Sequence, residues 1–274
     1  MLPNDFRRHS GRGIERKIKS LPSVSPTEVR LLAGIAEPNF EKMLGMILDD
    51  TTSREQFKTL GMVAQAGTKT SIITLHDENP VDIAIAEALT VCVLEELGFE
   101  PKYGLVLSKI MSHVGFELSP GAKPIPAVDL LRKMGHVYMS FPRTDSIKNS
   151  EIADDVISMY NASLRHIVAK DRKHGNFILA AAPTGTMGRP SPTEENTTLI
   201  APVRESTVGM ISGLVLPLAV RVFQEEPSMA VLPLRYIDNV PAIDMTMQEL
   251  CRTTEELRDN TIRFDYLGLS TKNF

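Results

Sequence analysis

Residues 71–98, SIITLHDENPVDIAIAEALTVCVLEELG, carry the pattern most informative about the fold. It begins with SIITL, a short β-branched run that is typical of a buried strand. A polar turn follows, and then PVDIAIAEALTVCVLEELG, a helix pattern that ends in Gly98. A strand, a loop and a helix in this order predict one unit of an α/β protein.

The same alternation continues toward the C-terminus. The runs GHVYMSF, NFILAAA, LVLPLAVRVF and MAVLPLRYI predict strands, while LVLSKI fits a strand or a helix. NSEIADDVISMYNASLRHIVAKDRKHG predicts a long helix, and DMTMQELCRTTEELRDNTIRF predicts a helix that closes the chain. Because the strands are apolar throughout rather than at every second residue, the fold class predicted is α/β, with a mostly parallel central sheet flanked by helices.

The first seventy residues predict a small helical bundle instead. SPTEVRLLAGIA begins with Ser25 as a helix cap, and SREQFKTLGMVAQAG takes Ser53 as its cap and Gly67 as its end. We therefore predict a helical N-terminal domain over residues 1–68 and an α/β domain over residues 69–274.

The charge of the chain bears on its partners. With 30 basic and 34 acidic residues the net charge is −4, which argues against a nucleic-acid binder. The first twenty residues differ, since they hold six Lys or Arg and only two acidic residues. This basic arm fits contact with anionic lipid or an acidic partner, but we favour the simpler interpretation of a solvated terminus.

The cysteines and the apolar runs bear on the compartment. Cys92 and Cys251 each stand in an apolar helix pattern, which predicts core residues in a reducing compartment rather than a disulfide. No signal-peptide pattern is seen, and the apolar runs fall short of the ~20 residues that a membrane-spanning helix needs. We expect a soluble cytoplasmic chain, at most peripheral to a membrane.

Three polar segments follow predicted strands directly. His76 follows SIITL, Arg143 follows GHVYMSF, and residues 183–190, PTGTMGRP, follow NFILAAA. Because ligands of open α/β sheets bind beyond the carboxyl ends of the strands, we expect these segments to share one edge of the sheet.

His76 and Asp82 are candidates for acid–base chemistry. An imidazole can remove a hydroxyl proton, and a carboxylate on its other nitrogen fixes the tautomer and supports the charge that develops. The alternative interpretation of this segment is a helix-capping loop with a surface histidine. Arg143 is either an anion-binding cation or a surface salt-bridge partner.

Thr184, Gly185 and Arg189 are candidates for holding an anion. Glycine lets the backbone turn tightly and direct N–H groups at a ligand, the threonine adds a hydroxyl, and the guanidinium offers a planar fork for phosphate oxygens. The Gly-Lys-Ser/Thr ending of a Walker loop is absent. The alternative is an ordinary glycine-containing connection.

Read together, these segments resemble the glycerolipid acyltransferase superfamily, which includes glycerol-3-phosphate and lysophosphatidate acyltransferases. FILAAAPTGTMGR is similar to its third block, whose usual form is Phe-Pro-Glu-Gly-Thr-Arg, LVLPLAV to its fourth and GHVYMSFPR to its second. The closest likeness is to the soluble plastid glycerol-3-phosphate acyltransferases. Their third block, Pro-Ser-Gly-Gly-Arg-Asp-Arg-Pro, corresponds to residues 183–190, and they too carry a helical domain before the catalytic one.

The sequence departs from the family pattern at two places. The family places four residues between its histidine and its aspartate. Counted from His76, the aspartate position is occupied by Val81 here, and Asp82 comes one residue later. Met187 replaces the first arginine of the plastid motif, and Arg189 matches the second.

The resemblance implies an acyltransferase domain over residues 69–274. The enzyme would move a fatty acyl group from acyl-carrier protein or coenzyme A to the 1-hydroxyl of glycerol 3-phosphate, a step of phospholipid synthesis in the cytoplasm or plastid stroma. It would need no metal and no cofactor beyond the thioester donor. The residues implied are His76 as base and Asp82 as its orienting partner, with Arg143, Thr184, Gly185 and Arg189 holding the phosphate.

Two other functions stay open from the sequence. One is a non-catalytic relative that binds lipid or acyl-carrier protein on the same scaffold. The other is an unrelated phosphate-binding α/β protein, such as an enzyme acting on a sugar phosphate.

Overall fold

A computed structural model describes residues 25–75, 81–100, 102–108, 137–141, 177–184, 188–203, 205–222, 225–226 and 228–268. The helices in these ranges are α1 Pro26–Ala36, α2 Phe40–Asp49, α3 Thr51–Gln65, α4 Val81–Glu96, α5 Glu205–Ile211 and α6 Val240–Leu257. The strands are β1 Thr70–Ile73, β2 Lys102–Ser108, β3 Val137–Phe141, β4 Phe177–Ala181, β5 Arg189–Pro190, β6 Thr197–Ile200, β7 Gly213–Arg221, β8 Ser228–Val231, β9 Arg235–Ile237 and β10 Arg263–Tyr266. The protein is mixed α/β.

The larger sheet combines parallel and antiparallel strands. Its order is β3-β2-β4-β1-β7-β8, with β9 also paired to β7. β1 lies between β4 and β7 and is parallel to both, and β2 is parallel to β3 and β4. β8 and β9 run antiparallel to β7. The strand–loop–helix unit predicted from residues 71–98 is confirmed, since β1 leads into α4 and Gly98 ends that helix with φ +81°.

A second, three-stranded sheet has the order β10-β6-β5. Its strand β10 corrects the prediction that a helix closes the chain. α6 ends at Leu257, and Asp259 and Asn260 then adopt φ values of 53° and 55°, which stop a helix. The following residues of β10 pair in parallel with β6.

The helix ends show which side chains satisfy the free backbone groups. Ser25 caps α1 as predicted, because its Oγ accepts a hydrogen bond from the amide of Glu28 at 3.2 Å. The prediction that Ser53 caps α3 is wrong. The helix begins at Thr51, and Asp50 accepts from the Ser53 amide at 2.8 Å, since a carboxylate suits the positive end of a helix.

The hydrophobic core has one cluster on each face of the larger sheet. The first joins α1, α2, α3 and α4 to one face, and the second joins α5 and α6 to the other. Successive strand residues alternate between the clusters, so Ile72 lies in the first and Ile73 in the second. α4 therefore packs against both the sheet and the three N-terminal helices, and α3 also packs directly on β1, β4 and β7. The domain boundary after residue 68 stays a prediction.

The two cysteines lie in these clusters, as the sequence predicts. Cys92 and Cys251 are both buried and form no disulfide, so the prediction that they are core residues is confirmed. The apolar face of α2 is also buried, with Phe40, Met43 and Ile47 in the first cluster. None of the helices described above is long and apolar enough to cross a bilayer.

Candidate functional site

At the carboxyl edge of the larger sheet, β1 and β4 end before the strands on either side of them, and we call this step in the edge the recess. Ile73, Ala181 and Val106 stand level with one another, and β1 and β4 end there. β2 continues for two more residues on one side, and β7 for four more on the other. At ~3.3 Å per residue these neighbours extend about 7 and 13 Å beyond the recess floor.

Two buried polar residues, Thr74 and Thr184, follow the strands that form this recess. Thr74 follows β1, is 2% exposed, and donates its backbone N–H to the carbonyl oxygen of Ala181 at 3.2 Å. Thr184 lies three residues after β4 and is also buried. This backbone hydrogen bond therefore keeps the chain after β1 beside the chain after β4.

Asp82 lies in the first turn of α4 and is 2% exposed. The partial positive charge at a helix N-terminus stabilises a carboxylate at this position. The connection from β1 to α4 spans only residues 74–80, so Asp82 returns to the same edge of the sheet. A buried carboxylate here is suited to orienting a cationic or hydrogen-bonding partner.

Arg189 is not in a loop. It forms β5, where it pairs with Leu199 of β6, and its side chain is exposed. β6 in turn pairs with β10. The backbone of this arginine is thus held by the smaller sheet rather than by a flexible connection.

His76, Arg143 and Gly185 lie outside the described residues, so their roles stay predictions. The strands that precede them are described. β1 ends three residues before His76, β3 two residues before Arg143, and β4 four residues before Gly185. β4 adjoins β1 directly, and β3 is separated from β4 by β2 alone.

Sequence reasoning missed Glu87, in the middle of α4. It is fully buried, and neither carboxylate oxygen has a hydrogen-bond partner in the part of the chain that the structure describes. Burial raises the pKa of this carboxyl to about 8. The signal was a single charged residue inside the apolar run IAIAEALTV.

A separate cavity of about 350 Å³ opens at the other end of β1. It is lined by Thr68, Lys69, Ser212, Gly213, Tyr236 and Asp238. Because Lys69 precedes β1 and Gly213 begins β7, this cavity lies at the opposite edge from the recess.

Among the residues that the structure describes, no three His, Cys, Asp or Glu side chains are grouped as a metal site requires. No protein-family model matches the sequence, and no curated protein matches it either.

Proposed function

We propose that this protein is an acyltransferase of the glycerolipid type, with a mostly parallel sheet and a helical N-terminal bundle. It transfers a fatty acyl group from acyl-carrier protein or coenzyme A to the 1-hydroxyl of glycerol 3-phosphate. The proposal includes a cytoplasmic or plastid location, no cofactor beyond the thioester, contact with a membrane periphery, and no nucleic-acid partner.

The observation that carries the proposal is the recess at β1 and β4. The parallel register of these strands sets Ile73 beside Ala181, so the chain segments that lead to His76 and to Thr184 leave the sheet side by side. Neighbouring strands are only ~4.8 Å apart. This arrangement supports the proposal that a base on one segment and an anion site on the other act on one small substrate.

The chemistry requires one proton transfer and one acyl transfer. His76 removes the proton of the 1-hydroxyl, and the buried Asp82 orients the imidazole and stabilises its positive charge. The oxygen attacks the thioester carbonyl, the C–S bond breaks, and the leaving thiolate takes the proton from the imidazolium. The products are an ester and a free thiol.

The phosphate of the acceptor requires cationic side chains and hydrogen-bond donors beside the proposed base. Arg189 and Arg143 supply guanidinium groups, Thr184 supplies a hydroxyl, and Gly185 supplies a backbone amide. Arg189 is supported in this role by its exposed side chain on a paired strand. A planar guanidinium matches the geometry of phosphate oxygens.

The test is to measure the consumption of acyl-coenzyme A and of acyl-carrier-protein thioester with and without glycerol 3-phosphate. We expect free thiol to appear only when glycerol 3-phosphate is present. Thioester that is bound but never consumed would indicate the non-catalytic relative, and binding of a sugar phosphate alone would indicate the third function.

Replacing the proposed base sharpens this test. His76→Ala should lower turnover by ~10²–10⁴-fold, which is the usual contribution of a general base. His174→Ala is the matched control, because His174 precedes β4 in the sequence by three residues, whereas the residues of the proposed site follow their strands. Equal turnover of both variants and the wild type would remove His76 from the mechanism.

A further inference from the structure

Thr74 carries a hydroxyl that the described part of the chain does not use. The residue is 2% exposed, and its backbone N–H already bonds to Ala181. Its Oγ1 has no hydrogen-bond partner among the described residues. Buried polar groups nearly always have a partner, so such a hydroxyl calls for an explanation.

The side of the sheet on which this hydroxyl lies follows from strand alternation. Ile72 belongs to the cluster beneath α4, whereas Ile73 and Leu75 belong to the cluster beneath α6. The ladder continues through the amide of Thr74, so its side chain is on the α4 face. The first turn of α4, with Asp82, covers the same edge of that face.

A valine at position 74 would fill nearly the same volume, and folding would then not have to remove a hydroxyl group from water. Replacing an unpaired buried hydroxyl by an apolar group of the same shape is neutral or stabilising. The hydroxyl therefore adds nothing to packing that valine would not add, which points to a ligand as its partner.

The charge of Asp82 limits what this ligand group can be. A carboxylate in the first turn of α4 repels an anion near Thr74. A neutral hydroxyl suits the position better, because it can bond to the hydroxyl of Thr74 without that repulsion. The hydroxyl of Thr184 comes instead from the chain that follows β4, one strand away.

We propose that Thr74 binds a hydroxyl group of a polyol phosphate whose phosphate lies on the β4 side of the recess. The ~4.8 Å between neighbouring strands suits a molecule in which hydroxyl and phosphate are a few bonds apart. The inference rests on the proposed function, and it assigns the acceptor a direction: hydroxyl toward β1, phosphate toward β4.

Calorimetric titration with two probes, glycerol 3-phosphate and inorganic phosphate, tests this assignment. Thr74→Val should weaken glycerol 3-phosphate binding roughly five- to tenfold, as expected for one lost hydrogen bond, and leave inorganic phosphate binding unchanged. Thr74→Ser keeps a hydroxyl at this position and should therefore bind glycerol 3-phosphate with an affinity close to that of the wild type. Thr90→Val is the matched control, because this buried threonine donates its hydroxyl to Ala86 O at 2.8 Å within α4.

The outcomes separate this inference from the proposed function. Equal weakening of both probes by Thr74→Val, unchanged glycerol 3-phosphate affinity, or no binding by the wild type overturns the inference. If the wild type consumes thioester but Thr74→Val binds glycerol 3-phosphate with unchanged affinity, the inference is overturned and the proposed function stands. Hydroxyl-selective weakening in a protein that consumes no thioester supports the inference and overturns the acyltransferase.

Discussion

The helices α4 and α6 cover opposite faces of the same sheet, yet they differ in their surroundings. In α4 every residue from Asp82 to Leu94 is buried. In α6 buried residues alternate with exposed ones, and Met245 is 59% exposed. The difference arises because α1, α2 and α3 pack over α4, whereas one side of α6 faces solvent.

This comparison shows what the N-terminal helices contribute. A helix that is apolar all round needs a second covering layer. α1, α2 and α3 provide it for α4, and their buried residues belong to the cluster that also contains Ile72 and Leu216 of the sheet. The two layers therefore share one hydrophobic core.

The largest expected effect concerns Glu87 in the buried helix. The folded-state pKa of about 8 exceeds the ordinary value of 4.5, so the folded protein holds a proton that the unfolded chain releases. The contribution of this proton to stability should be complete below pH 4.5 and be lost as the pH rises to about 8, by up to about 5 kcal/mol. Glu87→Gln should remove this fall, as measured by urea unfolding between pH 5 and 9.

The control for Glu87 is Glu95→Gln, an exposed residue of the same helix. Its unfolding curve should follow the wild type at each pH. A wild-type stability that does not decline between pH 5 and 8 would contradict the burial of an unpartnered carboxyl at position 87.

The second effect tests whether the covering layer and the sheet unfold together. Phe57 of α3 is fully buried in the shared cluster, so Phe57→Ala should lower the free energy of unfolding by ~3–5 kcal/mol. Circular dichroism and tyrosine fluorescence should report one shifted transition. Leu31→Ala is the control, because Leu31 is 65% exposed. Two transitions, with only the first shifted, would favour an independent domain over residues 1–68.

The third effect compares two glycines of the covering layer. A Cβ at Gly61 would lie 2.7 Å from Cγ of Phe99, whereas a Cβ at Gly45 would meet nothing within 4 Å. Gly61→Ala should destabilise the protein by ~1–3 kcal/mol through overpacking. Gly45→Ala should stabilise it by ~0.5–1 kcal/mol, since alanine favours the helix. Thermal denaturation distinguishes the two, and equal shifts would contradict the packing of α3 against Phe99.

The smallest effect concerns ion pairs of Arg30 on α1 and Arg252 on α6. Arg30 of α1 contacts Glu41 at 2.6 Å and Glu96 at 2.7 Å, with a side chain 39% exposed. Arg30→Gln should cost up to ~1 kcal/mol in low salt and less in high salt. Arg252→Gln on α6 should change almost nothing, because that exposed arginine lies 3.9 Å from Glu256. A salt-independent loss for Arg30→Gln would show that its packing matters more than its charge.

The fold was predictable where a local signal coincides with the final structure. Ser25, the β-branched run of β1 and Gly98 each act within a few residues, and each was predicted correctly. β10 was missed because its partner β6 lies 66 residues earlier in the chain, and because Asp259 and Asn260, which stop the helix, were interpreted as part of it. β5 and β6 were missed because both are short and partly exposed.

For the candidate site, the sequence predicts only which segments follow strands. The order of strands places the chain after β1 beside the chain after β4, but the sequence alone does not give that order. The unused hydroxyl of Thr74 and the buried carboxyl of Glu87 depend on what packs over them. Such environments come from distant parts of the chain, and periodicity does not encode them.

The pairing of β10 with β6 has a consequence for synthesis on the ribosome. β6 leaves the exit tunnel before β10 does. It acquires its parallel partner only when residues 263–266 have also left the tunnel. At 5–20 residues per second this delay is roughly 3 to 13 s. During that interval β6 lacks its partner on one side, so nascent chains that stop before β10 should expose a strand edge to other proteins.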